Sequence, residues 1–246
     1  MAPGTSSRPV PAASLTCANK RNVAIGEIVR ESSATAAVRN AAAITVTAVA
    51  RLLLIRHGQS EWNAARRWQG QADPPLSELG RRQAAEAAVR LEPVDVVATS
   101  TLERSRVSAQ IIAEALGCDP PIPVPELIER DVREFSGLTR VQIEEQYPGF
   151  LEDGRRPPGW EQDDVFLARV LAGVHRLAKV VGDRSAIVVT HGGVIYSLEA
   201  HLGCPPDRVT NMSGRWVSVD NGQLVAGERV HPLEGVDIQV PASDLL

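Results

Sequence analysis

The stretch "LLLIRHGQSEWN" occupies residues 52–63. Its first four residues form a short, continuously apolar run, the pattern of a strand covered on both faces, and the run stops at Arg56-His57-Gly58. A buried strand would therefore deliver an arginine and a histidine to its carboxyl end. Two later stretches repeat that arrangement. "VDVVATS" (residues 94–100) reads as a strand that runs into the helix "LERSRVSAQIIAEAL", capped by Ser100 or Thr101 and stopped at Gly117. "AIVVT" (residues 186–190) is turned by His191-Gly192-Gly193 into a helix ending at Gly203.

Helical segments fall between these strands. Ser77 can cap a helix whose Leu79, Ala84, Ala87, Ala88 and Leu91 recur at helical spacing, and residues 164–181 form a clear amphipathic helix. Prolines force a loop at residues 120–125, a helical patch covers 138–146, and a second loop covers 154–159. "RWVSVD" and "QLVAGERV" flank Asn221-Gly222, a type I′ hairpin signal. Strands alternating with helices predict an α/β fold: a doubly wound, mostly parallel sheet flanked by helices, with an antiparallel hairpin at one edge.

Composition narrows the class. With 43% hydrophobic and 23% charged residues, the 246-residue chain suits one ordinary core. No apolar segment reaches the roughly 18 residues of a membrane span, so no membrane partner is expected. Cys17, Cys118 and Cys204 lie far apart without CxxC spacing, which favours a reducing, cytoplasmic setting and gives no metal site. Residues 1–50 hold five basic and two acidic residues, whereas the rest of the chain holds 21 and 28. An acidic body makes nucleic acid an unsuitable partner.

Residues 1–50 are rich in Ala, Ser, Thr and Pro and read as a poorly ordered extension to a domain spanning 51–246. A misassigned start explains them best. The alternative is an organellar transit segment, with Ala48-Val49-Ala50 as its small-residue cleavage site.

In open α/β sheets, ligands bind beyond the carboxyl ends of the strands. Arg56, His57, Arg104 and His191 would all converge there, since Arg104 lies one turn into its helix and tilts back toward the N-terminus. Two arginine forks beside two imidazoles suit a phosphate group, which arginine binds bidentately and which neutral imidazole can attack. Each residue also has a plainer reading taken alone: either histidine as a hydrogen-bonded structural residue, and Arg104 as a surface residue beside Arg106.

Four blocks taken together resemble the histidine phosphatase superfamily, the phosphoglycerate mutase-like enzymes. "LLLIRHGQSEWNAARRWQGQADPPLSELGRRQA" resembles the opening block, with its RHG triplet, Asn, QG-x-x-D and L-S/T-x-x-G-x-x-Q-A segments. "TSTLERSRVSA" resembles S-x-L-x-R-A-x-x-T-A, with Ser105 and Ser108 replacing alanine and threonine; "LIER" resembles the L-x-E block, and "VVTHGGVI" the HGG block.

The resemblance implies a phosphoglycerate mutase-like fold and roles at matching positions. His57 would be the nucleophile that becomes phosphohistidine. Arg56, Asn63, Arg104 and His191 would bind the phosphate, with Glu129 as proton donor and later base. No metal or other cofactor is implied. The expected reaction is metal-independent hydrolysis of a small phosphorylated metabolite, and a homodimer is left open.

Only 61 residues separate Glu129 from His191, shorter than the lid that mutases of this superfamily tend to carry, which favours water as acceptor. The alternatives are a cofactor-dependent phosphoglycerate mutase and a non-catalytic module that holds a phosphorylated ligand. One departure bears on Glu129: Arg133 stands where the family usually has glycine, an unfavourable exchange if the backbone there has positive φ. Glu129 could also merely pair with Arg130 or Arg133. Glu161, in the segment matching a frequent GES, stays outside the catalytic set. Trp62 and Trp68 could line a pocket mouth, with packing as the default; Trp160 and Trp216 read as packing residues, and His175, His201 and His231 as structural or solvent-facing.

Overall fold

The computed structural model describes residues 49–238. What is expected of residues 1–48 therefore lies outside the described residues. The sheet has six strands in the order β3-β2-β4-β1-β5-β6. These are β1 (Ala50–Arg56), β2 (Val96–Thr99), β3 (Ile122–Pro123), β4 (Ser185–Thr190), β5 (Gly214–Asp220) and β6 (Gln223–Val230). β3, β2, β4 and β1 run parallel, while β5 and β6 are antiparallel and join through Asn221 and Gly222, both at positive φ as a type I′ turn requires.

The continuous apolar run of β1 is explained by its two covered faces. Leu52 and Leu54 pack toward Phe166, Val170, Val174 and Leu177 of α5 (Asp163–Val181) and Val194 and Ile195 of α6 (Gly192–His201). Leu53 and Ile55 pack toward Ala84, Ala87 and Ala88 of α2 (Glu78–Arg90) and Ala109, Ile112 and Ala113 of α3 (Glu103–Leu116). A polar residue on either side of β1 would be buried without a partner, so alternation is absent.

Two shorter helices complete the described elements: α1 (Glu61–Ala64) and α4 (Arg140–Gln146), each opened by a capping box, on Ser60 and Thr139 respectively. α4 belongs to a third, smaller apolar cluster away from the sheet, in which Val132, Phe135 and Ile143 pack with Trp68, Tyr147, Phe150 and Trp160. Single-turn 3₁₀ helices at Pro125–Leu127 and Arg133–Phe135 lead into it.

Three sequence expectations change. The proline-rich stretch does contain a strand, β3, but only at the sheet edge, where a missing N–H costs no ladder bond. The α3 N-cap is Leu102, with no side-chain cap bond; neither Ser100 nor Thr101 fills that role. The first strand also begins at Ala50, which is buried and paired with Val219, two residues before the apolar run that marks it in the sequence.

Candidate active site

Register places the reactive groups. Ile55 pairs with Val189 and Arg56 with Thr190, while Thr99 pairs with Val189 on the other side of β4. The carboxyl ends of β1, β4 and β2 therefore coincide, and the His57 N–H extends the ladder to the Thr190 carbonyl at 2.9 Å. The chain beyond β1 is seated backbone on backbone. A Cβ on Gly58 would lie 2.3 Å from the Gly80 carbonyl oxygen, and one on Gly80 would lie 2.0 Å from that of Gln59. Glycine at both positions is what lets the RHG turn rest on the first turn of α2.

His57 is 2% exposed, and its hydrogen bonds define its tautomer. Nδ1 lies 2.6 Å from the Gly58 carbonyl, which can only accept, so Nδ1 carries the proton. Nε2 keeps its lone pair and accepts from Arg104 Nε at 3.2 Å. Burial first, then the charges of Arg104 and Arg56, push the imidazole pKa well below 6.5. The ring is thus neutral at neutral pH, with Nε2 as its unprotonated nitrogen. Asn211 Nδ2 donates to the His57 carbonyl at 2.8 Å and fixes the backbone from the far side.

Arg104 is nearly inaccessible and is held by the carbonyls of Gly70 and Ala72 at 2.8 and 2.7 Å. Burial lowers its pKa to about 10, which leaves it cationic at neutral pH. Arg56 donates to the Val209 carbonyl at 3.1 Å, and burial lowers its pKa as well. Both guanidinium groups line a cavity of about 470 Å³ together with His57, Asn63 and Glu129. The Asn63 Oδ1 accepts from the Ser60 N–H in the α1 capping box, so its amide group is positioned by the helix start.

His191 does not line this cavity. It is fully buried as the α6 N-cap residue, edge-on to His57 with ring centroids 5.3 Å apart. Its Nε2 lies 2.6 Å from Ser100 Oγ, and its Nδ1 has no hydrogen-bond partner among the described residues. Ser100 lies two residues before the α3 N-cap, and its hydroxyl meets His191 while also accepting from the Leu102 N–H at 3.4 Å.

Glu129 is held at the start of α6. Its Oε2 accepts from the Gly193 N–H at 3.1 Å and its Oε1 from the Arg130 N–H at 2.8 Å. A Cβ on Gly193 would lie 2.2 Å from Glu129 Oε1, so the second glycine of HGG makes room for this carboxylate. Arg130 and Arg133 pair elsewhere, with Asp163 and Asp131, so the expectation that Glu129 might simply pair with them on the surface fails.

Arg169, which the sequence placed only on an amphipathic helix, organises the segment bearing Glu129. It donates to the carbonyls of Glu126 and Ile128 at 2.7 and 2.9 Å and grips the Glu161 carboxylate with two N–H groups at 2.9 Å. Glu161 in turn accepts from the Asp131 N–H at 3.1 Å. Glu161 is thus tied into the Glu129 segment and does not line the cavity.

Arg133 does adopt positive φ, at 49°. Its backbone N–H donates to Asp131 Oδ1 at 3.0 Å and its Nε donates to the Gly159 carbonyl at 2.7 Å, bonds that offset a left-handed penalty of about 1–2 kcal/mol. Arg133→Ala keeps the penalty and loses the side-chain bonds, whereas Arg133→Gly loses both. Alanine is therefore expected to be the more destabilising substitution, by about 1 kcal/mol relative to glycine in urea unfolding. The reverse order would show that the backbone there is not left-handed.

Comparison with known proteins agrees with this geometry. The sequence profile of the Histidine phosphatase superfamily (branch 1) matches residues 52–226, most of the chain and all the residues above. The chain belongs to the histidine phosphatase superfamily. It is 37% identical over 161 residues to a metal-independent phosphoserine phosphatase of Arabidopsis thaliana, covering 61% of this chain and 67% of the relative. A probable phosphoglycerate mutase of Photorhabdus laumondii subsp. laumondii is 33% identical over 225 residues, 80% of this chain and 98% of the relative. Among solved structures, a mycobacterial glucosyl-3-phosphoglycerate phosphatase superposes with a TM-score of 0.61 at 30% identity, covering 70% of this chain and 91% of that one. This histidine phosphatase is a phosphoric monoester hydrolase on a phosphoglycerate mutase-like α/β sheet. Among the described residues no helix is long and apolar enough to cross a membrane.

The buried imidazoles make the stability of this phosphatase pH-dependent. Burial, then the Arg104 charge, also pushes His191 well below 6.5. Below pH 6.5 an unfolded chain protonates both rings while the folded chain does not, so the unfolded state binds more protons and stability falls with pH. The contribution is complete above pH 6.5, and each ring removes up to about 1.4 kcal/mol per pH unit below it. Urea unfolding is expected to show lower stability at pH 5.5 than at 7.5, with the difference narrowed in His191→Gln. An unchanged difference in the variant would show that His191 is not one of the groups responsible.

Proposed function

We propose that this phosphatase hydrolyses a small phosphomonoester without a metal, through a phosphohistidine on His57. One observation carries the reading: the Nδ1–H of His57 is committed to Gly58, so the unprotonated nitrogen is Nε2, held by the Arg104 N–H beside a cavity that His57 lines with Arg56, Arg104 and Glu129.

In the first step Nε2 attacks phosphorus and forms the N–P bond. The ester P–O bond breaks, and the departing alkoxide takes a proton from the Glu129 carboxyl. Arg56 and Arg104 stabilise negative charge on the equatorial oxygens, with the Asn63 amide as a further donor. His191 supports the nucleophile through its ring contact and its bond to Ser100. In the second step Glu129, now a carboxylate, takes a proton from water as that water attacks phosphorus. The N–P bond breaks, orthophosphate leaves, and both residues return to their starting forms.

The metal-independent phosphoserine phosphatase relative supports hydrolysis without a metal. The mutase relative favours a second reading, in which the phosphoryl group returns to substrate instead of water. The wide spacing of Cys17, Cys118 and Cys204, with no CxxC pair, supports a reducing, cytoplasmic setting.

The test is release of orthophosphate from benzyl phosphate by the purified chain in excess chelator. Turnover unchanged by the chelator is expected, and its loss would overturn the metal-free reading. Interconversion of phosphoglycerates that depends on a bisphosphorylated primer, and outpaces phosphate release, would favour the mutase.

A further inference from the structure

The residues just beyond β1 are held largely by one stretch of chain. The Arg56 N–H donates to the Ser213 carbonyl at 3.0 Å, the Arg56 carbonyl accepts from the Met212 N–H at 2.9 Å, and Nη1 of its guanidinium donates to the Val209 carbonyl at 3.1 Å. The His57 carbonyl accepts from Asn211 Nδ2 at 2.8 Å. Residues 207–213, which lie between α6 and β5 and include neither helix nor strand, thus seat both the nucleophile and the arginine beside it. A connector with no ladder of its own moves readily unless other elements brace it.

Its two ends are braced differently. Near β5, Met212 turns through the left-handed region at a φ of 62°, with its side chain buried in the core that covers Leu53 and Ile55. At the other end the brace is Arg229 of β6. Its Nη1 donates to the Arg208 carbonyl at 3.1 Å and its Nη2 to the Asp207 carbonyl at 3.2 Å. Glu199 of α6 fixes this guanidinium in turn: its carboxylate accepts from Arg229 Nε at 2.9 Å, from Arg229 Nη2, and from Arg215 Nε of β5 at 2.7 Å. The Val209 N–H donates to the Tyr196 hydroxyl of α6 at 3.0 Å. Val209 therefore follows two carbonyls held by Arg229, is tied to α6 through its N–H, and receives Arg56 on its own carbonyl.

The Arg229 and Glu199 side chains are only 8% and 6% exposed. Desolvation offsets much of the attraction in an ion pair so buried, and an apolar pair of the same volume is often no less stable. An apolar pair could not hold two main-chain carbonyls of a loop. We propose that Arg229, oriented by Glu199, is a positioning residue: it sets residues 207–209, and through the Val209 carbonyl it aims the Arg56 guanidinium into the cavity. Arg229 does not itself line that cavity. The proposal rests on the reading above of Arg56 as a ligand of the transferred phosphate.

A double-mutant cycle tests it, with kcat/KM on benzyl phosphate measured where circular dichroism shows every variant folded. Arg229→Met is expected to lower kcat/KM about tenfold, since a displaced binding group costs rate without any loss of a reacting atom. In an Arg56→Met background the same substitution is expected to cost about twofold or less, because the group it positions is gone. Equal losses in the two backgrounds, or a loss below about twofold when Arg56 is present, overturn the proposal. If Arg229→Met does not fold, Arg229→Lys takes its place in the cycle, with a loss of about threefold expected beside Arg56 and none without it. If Arg56→Met alone leaves kcat/KM unchanged, the reading of Arg56 as a phosphate ligand fails. The ¹⁵N resonance of Arg56 Nε, identified by its absence in Arg56→Met, then decides the positioning. It is expected to shift in the Arg229 variant while that of Arg104 stays in place, and an unmoved Arg56 resonance overturns the proposal.

Discussion

His57→Ala is expected to lower kcat/KM by about 10⁴- to 10⁶-fold on any phosphomonoester this phosphatase accepts, because it removes the atom that forms the covalent intermediate. No neighbour can substitute. His191 does not line the cavity, and its Nε2 is engaged by Ser100. Rapid quench into alkaline detergent after mixing wild type with ³²P-labelled substrate provides a second readout. A protein-bound label that survives alkali and is lost in acid is expected in wild type and absent in the variant. A variant that keeps a tenth of wild-type turnover would remove His57 from the nucleophile's role. An unchanged label in the variant would place the intermediate on another side chain.

Glu129→Gln has the second largest expected effect, and that effect depends on the leaving group. An alkyl or benzyl alkoxide needs a proton to depart, so its phosphate ester should lose about 10²- to 10⁴-fold in kcat/KM. A dinitrophenolate leaves without one, so the first step on dinitrophenyl phosphate should be nearly unaffected. Hydrolysis of phosphohistidine still needs the carboxylate as base. The variant should therefore release one equivalent of dinitrophenol in a burst and then turn over slowly. Equal losses on both esters, with no burst, would show that Glu129 transfers no proton to the leaving group.

Arg169→Leu should move in the same direction by about tenfold, with partial recovery in Arg169→Lys, because Arg169 sets the carbonyls on which the Glu129 segment hangs. Gly193→Ala should resemble it, since the new methyl group must displace the carboxylate.

These residues differ in how far the sequence exposed them. The placement of Arg56, His57, Arg104 and His191 near one sheet edge could be read because each follows a short apolar run or a helix start, but not that His191 would sit behind His57, off the cavity. The doubly covered strands were legible for a related reason: apolar continuity in β1, β2 and β4 has no other economical explanation. Arg169 could not be read. An arginine on an amphipathic helix is normally solvated, and its five backbone and carboxylate partners lie 8 to 43 residues away in sequence. Ser100 shows the same limit from the other side, since a hydroxyl just before a helix is a cap by default. His191, 91 residues later, shares that hydroxyl with the Leu102 N–H, and α3 begins only at Glu103. Arg133 was read correctly as a point of conflict, but the sequence could not show that Asp131 and Gly159 would hold it in place.

The third apolar cluster gives the molecule a division of labour. Trp68, Phe135, Tyr147, Phe150 and Trp160 pack mainly on one another, with edge-to-face and tilted ring pairs 5.4 to 6.2 Å apart, and not on either face of the sheet. The groups that would handle phosphorus lie at or beyond the carboxyl ends of the strands, while Trp160 of this separate nucleus carries Arg130 and Arg156 at the cavity's edge. Substitutions in this cluster consequently reach the cavity's edge without entering either of the two cores that flank the sheet. Laboratory recombination between relatives should therefore tolerate exchange of residues 132–160 best when Trp68, their partner from a separate loop, is exchanged with them.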